Sequence, residues 1–204
     1  MVTVKVAQSL DGKIALREGM RTYLTDGLAN ADVDQVRAGQ QAILVGSETA
    51  LADDPQLLVK QAVMYPPIRI VLDRRGRLQT SSRLHEQHGA PLWIFTENAQ
   101  LKTRFTAANE RIFVGKWTIQ TVIEVLAKAG VQSLLVEGGS TIQAAFLQAG
   151  LVDQLIIYQV AELFGGNSLP AFAQMQSGER YAFHELSTEI IGNARKSVFE
   201  RVVN

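Results

Sequence analysis

The chain of 204 residues contains no cysteine. That absence excludes a disulfide framework, a thiolate zinc site, a CxxC redox pair and a cysteine nucleophile, so any chemistry must use other side chains. Excess charge of either sign is missing too, because 20 Lys+Arg stand against 20 Asp+Glu. A protein held on nucleic acid by phosphate electrostatics would show a basic surplus or a basic stripe, and there is neither. Long hydrophobic runs are also lacking. Stretches such as Leu134-Leu135-Val136 fall far below the roughly 18 residues of a spanning helix. The N-terminus MVTVKVAQ alternates, where a signal peptide would carry a charged start and an apolar block. No nucleic acid, no membrane and a cytoplasmic location are the expectations. What is present, 47% hydrophobic residues in a chain long enough to bury roughly 70% of its unfolded surface, is enough for one domain spanning 1–204.

Val2, Val4 and Val6 alternate with Thr3 and Lys5, which predicts a strand, and Asp11-Gly12 follows as a turn. Thr25-Asp26 is placed to cap a helix running to about Ala38. Four short continuous apolar runs read as strands buried on both faces: Ala42-Ile43-Leu44-Val45, Ile68 to Leu72, Leu92 to Phe95 and Ser133 to Val136. Helical spacing recurs over Ile119 to Ala129 and Thr141 to Gln148. Alternating strands and helices predict βαβ units and a mostly parallel sheet. Leu155 to Val160, Tyr181 to Ile191 and Ser197 to Val203 read as strands without strong helices between them, so an antiparallel C-terminal edge is expected.

Ligands of open α/β sheets sit beyond the carboxyl ends of the strands, so the residues just after each apolar run carry the interest. Gly46-Ser47-Glu48-Thr49 follows the second strand; its glycine permits close backbone approach and its hydroxyls could hold a phosphate, although an ordinary capped turn reads the same way. Asp73 leads into Arg74-Arg75-Gly76-Arg77, either solvated surface or a fork for a ribose phosphate. Val136-Glu137-Gly138-Gly139-Ser140-Thr141 is a strand end, a glycine pair and hydroxyls opening a helix, a junction suited to a pyrophosphate. It is not the GxGxxG fingerprint, which disfavours a standard Rossmann domain. His85, His88 and His184 share no metal spacing and read as surface histidines, so no metal is expected. Asp53 and Asp54 are neighbours whose side chains point different ways and do not read as an acid/base pair.

In order, Ser9-Leu10-Asp11-Gly12, Arg37, Val45-Gly46-Ser47-Glu48-Thr49, Ala52-Asp53-Asp54-Pro55, Val71-Leu72-Asp73, Glu137-Gly138-Gly139 and Gly150-Leu151-Val152-Asp153 resemble the C-terminal reductase domain of the bifunctional riboflavin-biosynthesis deaminase/reductase, the RibD family. The resemblance implies an α/β fold of the dihydrofolate-reductase-like, three-layer type. It implies NADPH as cofactor, and reduction of 5-amino-6-(5-phosphoribosylamino)uracil at the first carbon of its open-chain sugar to give the ribitylamino product. Carried over, the cofactor residues are Ala7, Tyr23, Gly46, Thr49, Asp53, Gly138, Gly139, Ser140, Thr141 and Ile142, with Arg74 on the 2′-phosphate of the adenosine end. The substrate residues are Arg21, Arg37, Asp54, Leu57, Lys60 and Glu137, and Lys5 and Glu137 stand nearest the reacting centre. A homodimer is also implied, with the apolar stretch Gly150 to Val160 as a candidate pairing edge.

Three positions depart from the family pattern: Tyr23 where Trp is common, Lys60 where Arg is usual and Arg21 where a small hydroxyl residue is usual. Arg21 and Lys60 keep a non-catalytic NADP-binding protein open as an alternative, and the shared fold keeps a pterin reductase open, although Arg37 and Lys60 suit a phosphate better than a pterin. The partner deaminase domain would need HxE and PCxxC zinc ligands, which a chain without cysteine cannot supply. A stand-alone reductase is the expectation.

Overall fold

Alternation puts Val2, Val4 and Val6 on one face of the first strand and Thr3, Lys5 and Ala7 on the other. The structure, a computed structural model, describes residues 1–86, 89–175 and 178–202. In chain order the elements are β1 (Val2–Gln8), β2 (Lys13–Ala15), α1 (Gly27–Ala38), β3 (Ala42–Gly46), α2 (Ser47–Asp53), β4 (Ile68–Leu72), β5 (Leu92–Thr96), α3 (Leu101–Arg104), β6 (Glu110–Val114), α4 (Ile119–Lys128), β7 (Leu134–Gly138), α5 (Ser140–Gln148), β8 (Gln154–Val160), β9 (Leu169–Pro170), β10 (Phe183–Ile191) and β11 (Ala194–Arg201). A short 3-10 turn covers Arg83–His85.

Nine of the strands form one sheet in the order β10-β11-β8-β1-β7-β3-β4-β5-β6. From β8 to β6 every pair is parallel, while β11 against β8 and β10 against β11 are antiparallel. This is the mostly parallel α/β sheet with an antiparallel C-terminal edge that the strand pattern predicts. The continuous apolar runs follow from layers on both faces. Leu44, Ile70, Phe95 and Val136 pack under α4 and α5 with Val122, Leu126 and Phe146. Ile43, Val71, Ile94 and Leu135 face the opposite layer, with Ala50 of α2 and Leu57. On that same side α1 lays Ala29 and Val33 over Ile156 and Tyr158 of β8.

Local signals set the ends. Asp26 caps α1, its Oδ1 accepting from the N–H groups of Leu28 and Ala29 at 3.0 Å each. Two expectations shift. The last strand begins at Ala194, three residues earlier than its apolar pattern suggests, because Gly192-Asn193 makes a tight turn that pairs Ile191 with Ala194; Val203 lies outside the described residues. The stretch 150–160 is no sheet edge, since β8 runs between β1 and β11. The edge strands are β6 and β10, and on β10 Leu186 and Ile190 are exposed. Among the described residues no helix is long and apolar enough to cross a membrane.

Candidate active site

A cleft of about 710 Å³ opens at the carboxyl ends of β3, β4, β5 and β7, where an open parallel sheet places its ligands. Two of its walls come from glycine turns that lock into each other. A Cβ at Gly46 would stand 2.7 Å from Cγ1 of Ile142, and one at Gly138 would stand 2.9 Å from Cγ2 of Thr49. Only glycine lets the β3–α2 and β7–α5 turns approach this closely. Gly139 follows at φ +92°, a left-handed backbone that favours glycine and swings the chain into α5. Asp26 and Thr118 close the first turns of α1 and α4 by side-chain bonds, whereas α5 has no side-chain cap. Its free N–H groups and positive dipole end open on the cleft beside Ser140, Thr141 and Ile142.

The opposite wall is the arginine loop after β4. Asp73 is fully buried and folds the loop by accepting the Leu78 N–H at 2.8 Å, while the Asp73 carbonyl accepts from Gly76. Arg77 is committed to Ser47 Oγ at 2.8 Å and Glu48 Oε1 at 2.5 Å. Arg74 and Arg75 are exposed, line the cleft and have no side-chain partner among the described residues. Leu72, Phe95, Trp117 and Ile119 form an apolar surface beside them, with Trp117 edge-on to Phe95 at 5.0 Å.

On the α1 side of the sheet lies a cluster of charges. Arg37 holds Glu137 through two bonds, Nε to Oε1 at 2.7 Å and Nη2 to Oε2 at 2.5 Å, and the Glu137 side chain is only 4% exposed. Burial alone would raise the Glu137 carboxyl, but the Arg37 guanidinium, the Lys5 ammonium and the bonds from Arg37 outweigh it and hold the group below its ordinary value. Lys5 responds the other way: burial lowers it below an ordinary lysine, Arg37 adds to that, and Glu137 and Asp53 oppose it. Asp53, at the end of α2, lines the cleft; burial raises its carboxyl against the pull of Arg21 and Lys5. Lys5 is therefore within electrostatic reach of Glu137 on one side and of a cleft carboxylate on the other.

The cleft gathers Gly46, Thr49, Asp53, Arg74, Gly139, Ser140, Thr141, Ile142 and Arg21. Arg21 Nη1 donates to the Asp53 carbonyl at 3.3 Å and its guanidinium lies 4.6 Å over the exposed Tyr23 ring. Gly138 packs behind the cleft against Thr49, and Ala7, opposite Tyr158 on β8, faces the α1 layer. Lys5, Arg37 and Glu137 form the charged cluster. Asp54 turns away from Asp53, its carboxylate accepting Ser82 Oγ at 2.8 Å and the Arg83 N–H at 2.9 Å. Leu57 is buried under the sheet and Lys60 is exposed.

Sequence reasoning missed the β2–β9 pair, whose Ile14, Ala15 and Leu169 line the cleft, because strands of three and two residues fall below any periodicity. His85 is not a surface residue: it stacks on Phe105 at 4.2 Å, with Nδ1 2.8 Å from the buried Glu110. His184 is exposed and His88 lies outside the described residues. Among the described residues no three His, Asp or Glu side chains converge as a metal site.

Comparison with known proteins bears on this arrangement. The RibD C-terminal domain matches residues 1–194. The riboflavin biosynthesis protein RibD of Bacillus amyloliquefaciens is 34% identical over 187 residues, covering 88% of this chain and 50% of that protein. The chain thus spans about half the length of the bacterial relatives it matches. A 2,5-diamino-6-ribosylamino-4(3H)-pyrimidinone 5′-phosphate reductase of Archaeoglobus fulgidus is 32% identical over 192 residues, covering 86% of this chain and 87% of that protein. The structure of RibD from Acinetobacter baumannii superposes with a TM-score of 0.87 at 28% identity, over 99% of this chain and 58% of that one. Enterococcus faecalis dihydrofolate reductase, at 16% identity and a TM-score of 0.54 over 98% and 96% of the two chains, shares the fold. With the glycine turns, the cleft and the ordered motifs in one register, the chain belongs to the RibD C-terminal domain family.

Proposed function

We propose that the chain is an NADPH-dependent reductase of a phosphoribosylaminopyrimidine, taking 5-amino-6-(5-phosphoribosylamino)uracil to its ribitylamino product as a homodimer, with the exposed edge strand β10 available for pairing. One observation carries the reading. A dinucleotide-sized cleft with an uncapped helix N-terminus abuts, through Asp53, a buried cluster of Lys5, Glu137 and Arg37.

The cleft residues fit the cofactor. The free N–H groups of α5 suit a pyrophosphate, Arg74 and Arg75 suit the 2′-phosphate that distinguishes NADP from NAD, and the surface of Leu72, Phe95, Trp117 and Ile119 suits an adenine ring. NADPH, when bound, supplies the hydride. Reduction of the open-chain sugar imine adds that hydride to the first carbon and one proton to the attached nitrogen. Lys5 is the group proposed to hold and deliver this proton. Burial lowers its pKa against the opposing pull of Glu137 and Asp53, which brings it nearer to working pH than that of a solvated lysine. Glu137, locked by Arg37, supplies negative charge within electrostatic reach of Lys5. Arg21 and Asp53 close the cleft side.

The test is loss of NADPH absorbance with the phosphoribosylaminouracil and with dihydrofolate, run in parallel. Turnover with the first alone is expected. Turnover with dihydrofolate alone would make the chain a pterin reductase. NADPH binding by calorimetry without oxidation of either would make it a non-catalytic binding protein.

A further inference from the structure

One wall of the cleft cannot hold itself. It is the pair β2 and β9, three and two residues long, with only Lys13 opposite Pro170 and Ala15 opposite Leu169. A ladder this short is marginal in water by itself, and Pro170 brings no N–H to it. Ile14, Ala15 and Leu169 nevertheless line the cleft, so the pair must be fastened from outside. On the α5 side, Ser140 Oγ donates to the Pro170 carbonyl at 2.5 Å and the Ser140 carbonyl accepts the Ala173 N–H at 3.3 Å. The other fastening is Asp11. Its Oδ1 accepts from Ser9 Oγ at 2.6 Å and from the Phe164 N–H at 3.1 Å, and its Oδ2 accepts the Gly165 N–H at 2.7 Å. Beside it, the Leu10 N–H donates to the Glu162 carbonyl at 2.7 Å and the Ala171 N–H to the Gly12 carbonyl at 2.9 Å. The loops leaving the neighbouring strands β1 and β8 are thus tied by one carboxylate just before they form β2 and β9. The Ser9 hydroxyl, then the Phe164 and Gly165 N–H groups, hold the Asp11 carboxyl down to about 2, so the acceptor is ionised at neutral pH.

Sheet order says which part of a dinucleotide this wall meets. β1 and β8 stand on one side of β7, and β4 and β5 stand on the other, beyond β3. Arg74, Arg75 and Phe95 come from the β4 and β5 end, whereas Lys5 lies on β1 itself. A cofactor whose adenosine end takes the arginine loop and whose pyrophosphate lies on α5 must lay its nicotinamide half towards β2 and β9. We propose that Asp11 is a positioning residue for the nicotinamide half of the cofactor, tying the loops after β1 and β8 so that the β2–β9 wall stands where that ring needs it. The proposal rests on the NADPH reading of the cleft. Asp11 acts through the backbone of Phe164 and Gly165, so it is not a catalytic residue.

The whole cofactor and its adenosine half are the probes. By calorimetry, Asp11→Ala is expected to weaken NADPH roughly tenfold, the scale of one lost charge-assisted bond. Adenosine 2′,5′-bisphosphate, which carries only the half that meets the arginine loop, should bind the variant as well as the unmodified chain. A general loosening of the fold would weaken both. At saturating NADPH, kcat should also fall roughly tenfold, because a displaced ring leaves the geometry of hydride transfer. Asp11→Asn keeps a carbonyl oxygen for the Phe164 N–H and should recover part of both losses. In the unmodified chain, NADPH should slow hydrogen exchange at the N–H groups of Phe164, Gly165 and Ala171 and the bisphosphate should not, a measurement that stands even if neither variant folds. Equal losses of the two ligands, NADPH affinity indifferent to Asp11, a bisphosphate that does not bind the unmodified chain, or exchange at these three amides indifferent to NADPH would each overturn the proposal and leave the reductase reading standing. An unmodified chain that binds no NADPH would overturn both. One that binds it with the expected split, yet oxidises it with neither the phosphoribosylaminouracil nor dihydrofolate, would refute the reductase reading alone.

Discussion

The two flanks of β7 are made of different material. Towards α5 the site is backbone: Gly138 and Gly139 and the uncapped first turn of the helix, with the cations Arg74 and Arg75, unpaired among the described residues, on the far wall. Towards α1 it is side chains, with Lys5, Glu137, Arg37 and, across the sheet end, Asp53 biasing one another's charge. Backbone dipoles cannot be titrated and lose no rotamer freedom on binding, so they suit a cofactor that must be gripped at any working pH. Buried ionisable groups are costly to desolvate and survive only in mutual compensation, but their pKa values can be tuned. The flank proposed to hold the cofactor is thus separated from the flank proposed to react by the width of one strand.

The sharpest way to break that division is Lys5→Met. If Lys5 supplies the proton, turnover should fall by about 10² to 10⁴, the range of a lost general acid, while NADPH affinity by fluorescence titration stays as it was. The Arg37–Glu137 pair remains, so the fold should survive. A subtler form of the same test is Glu137→Gln. Glu137 raises the Lys5 pKa and Arg37 lowers it; removing the carboxylate and leaving Arg37 unpaired both push it down. A rate that needs protonated Lys5 is lost as pH rises through that pKa, so the alkaline limb of the profile should move to lower pH. An unmoved limb would take Lys5 out of the role.

How much of each flank was legible in the sequence follows from the same difference. Gly46 and Gly138-Gly139 stand at strand ends after continuous apolar runs, and the close approach that demands glycine leaves its mark locally. The arginines after Asp73 are equally local, though only the structure separates the free Arg74 and Arg75 from the committed Arg77. Arg37 and Glu137 lie 100 residues apart, and nothing in either segment announces the other; their pairing depends on α1 crossing the face of β7. The resemblance makes Arg37 a substrate residue, and the structure adds that two of its nitrogens are bonded to Glu137. Asp53 and Asp54 read as neighbours pointing apart, and the left-handed turn at Asp54 is the reason. Strand placement was legible where burial on both faces forces unbroken apolar runs, whereas the half-buried edge strand β6 went unread and β2 and β9 owe their pairing to chain contacts and carry no pattern of their own.

On the backbone flank the expected effects are smaller and of another kind. Gly46→Ala puts a Cβ against Ile142 and forces the first turn of α5 to shift, an overpacking worth roughly 1–3 kcal/mol. Thermal stability should drop, and NADPH affinity with it, because the N–H groups proposed to meet the pyrophosphate move together. The pH profile set by Lys5 should keep its shape. If that profile moved along with the affinity, the two flanks would not be separable.

Arg74→Ala should have the smallest effect and the most specific one. Arg74 is exposed, so solvent and salt screen its interaction, and the loss is bounded at about tenfold in NADPH affinity at low ionic strength, shrinking as salt is added. Arg75 beside it can take part of the phosphate, which limits the loss further. NADH lacks the 2′-phosphate and should bind the variant as well as the unmodified chain, so the ratio of the two affinities is the quantity to measure. Arg77→Ala gives the contrast within the same loop. Its guanidinium is already held by Ser47 and Glu48, so its removal should loosen the α2 turn and weaken both nucleotides alike, leaving the ratio where it was. Equal losses of NADPH and NADH on replacing Arg74 would assign the 2′-phosphate to another cation and leave Arg74 as solvated surface.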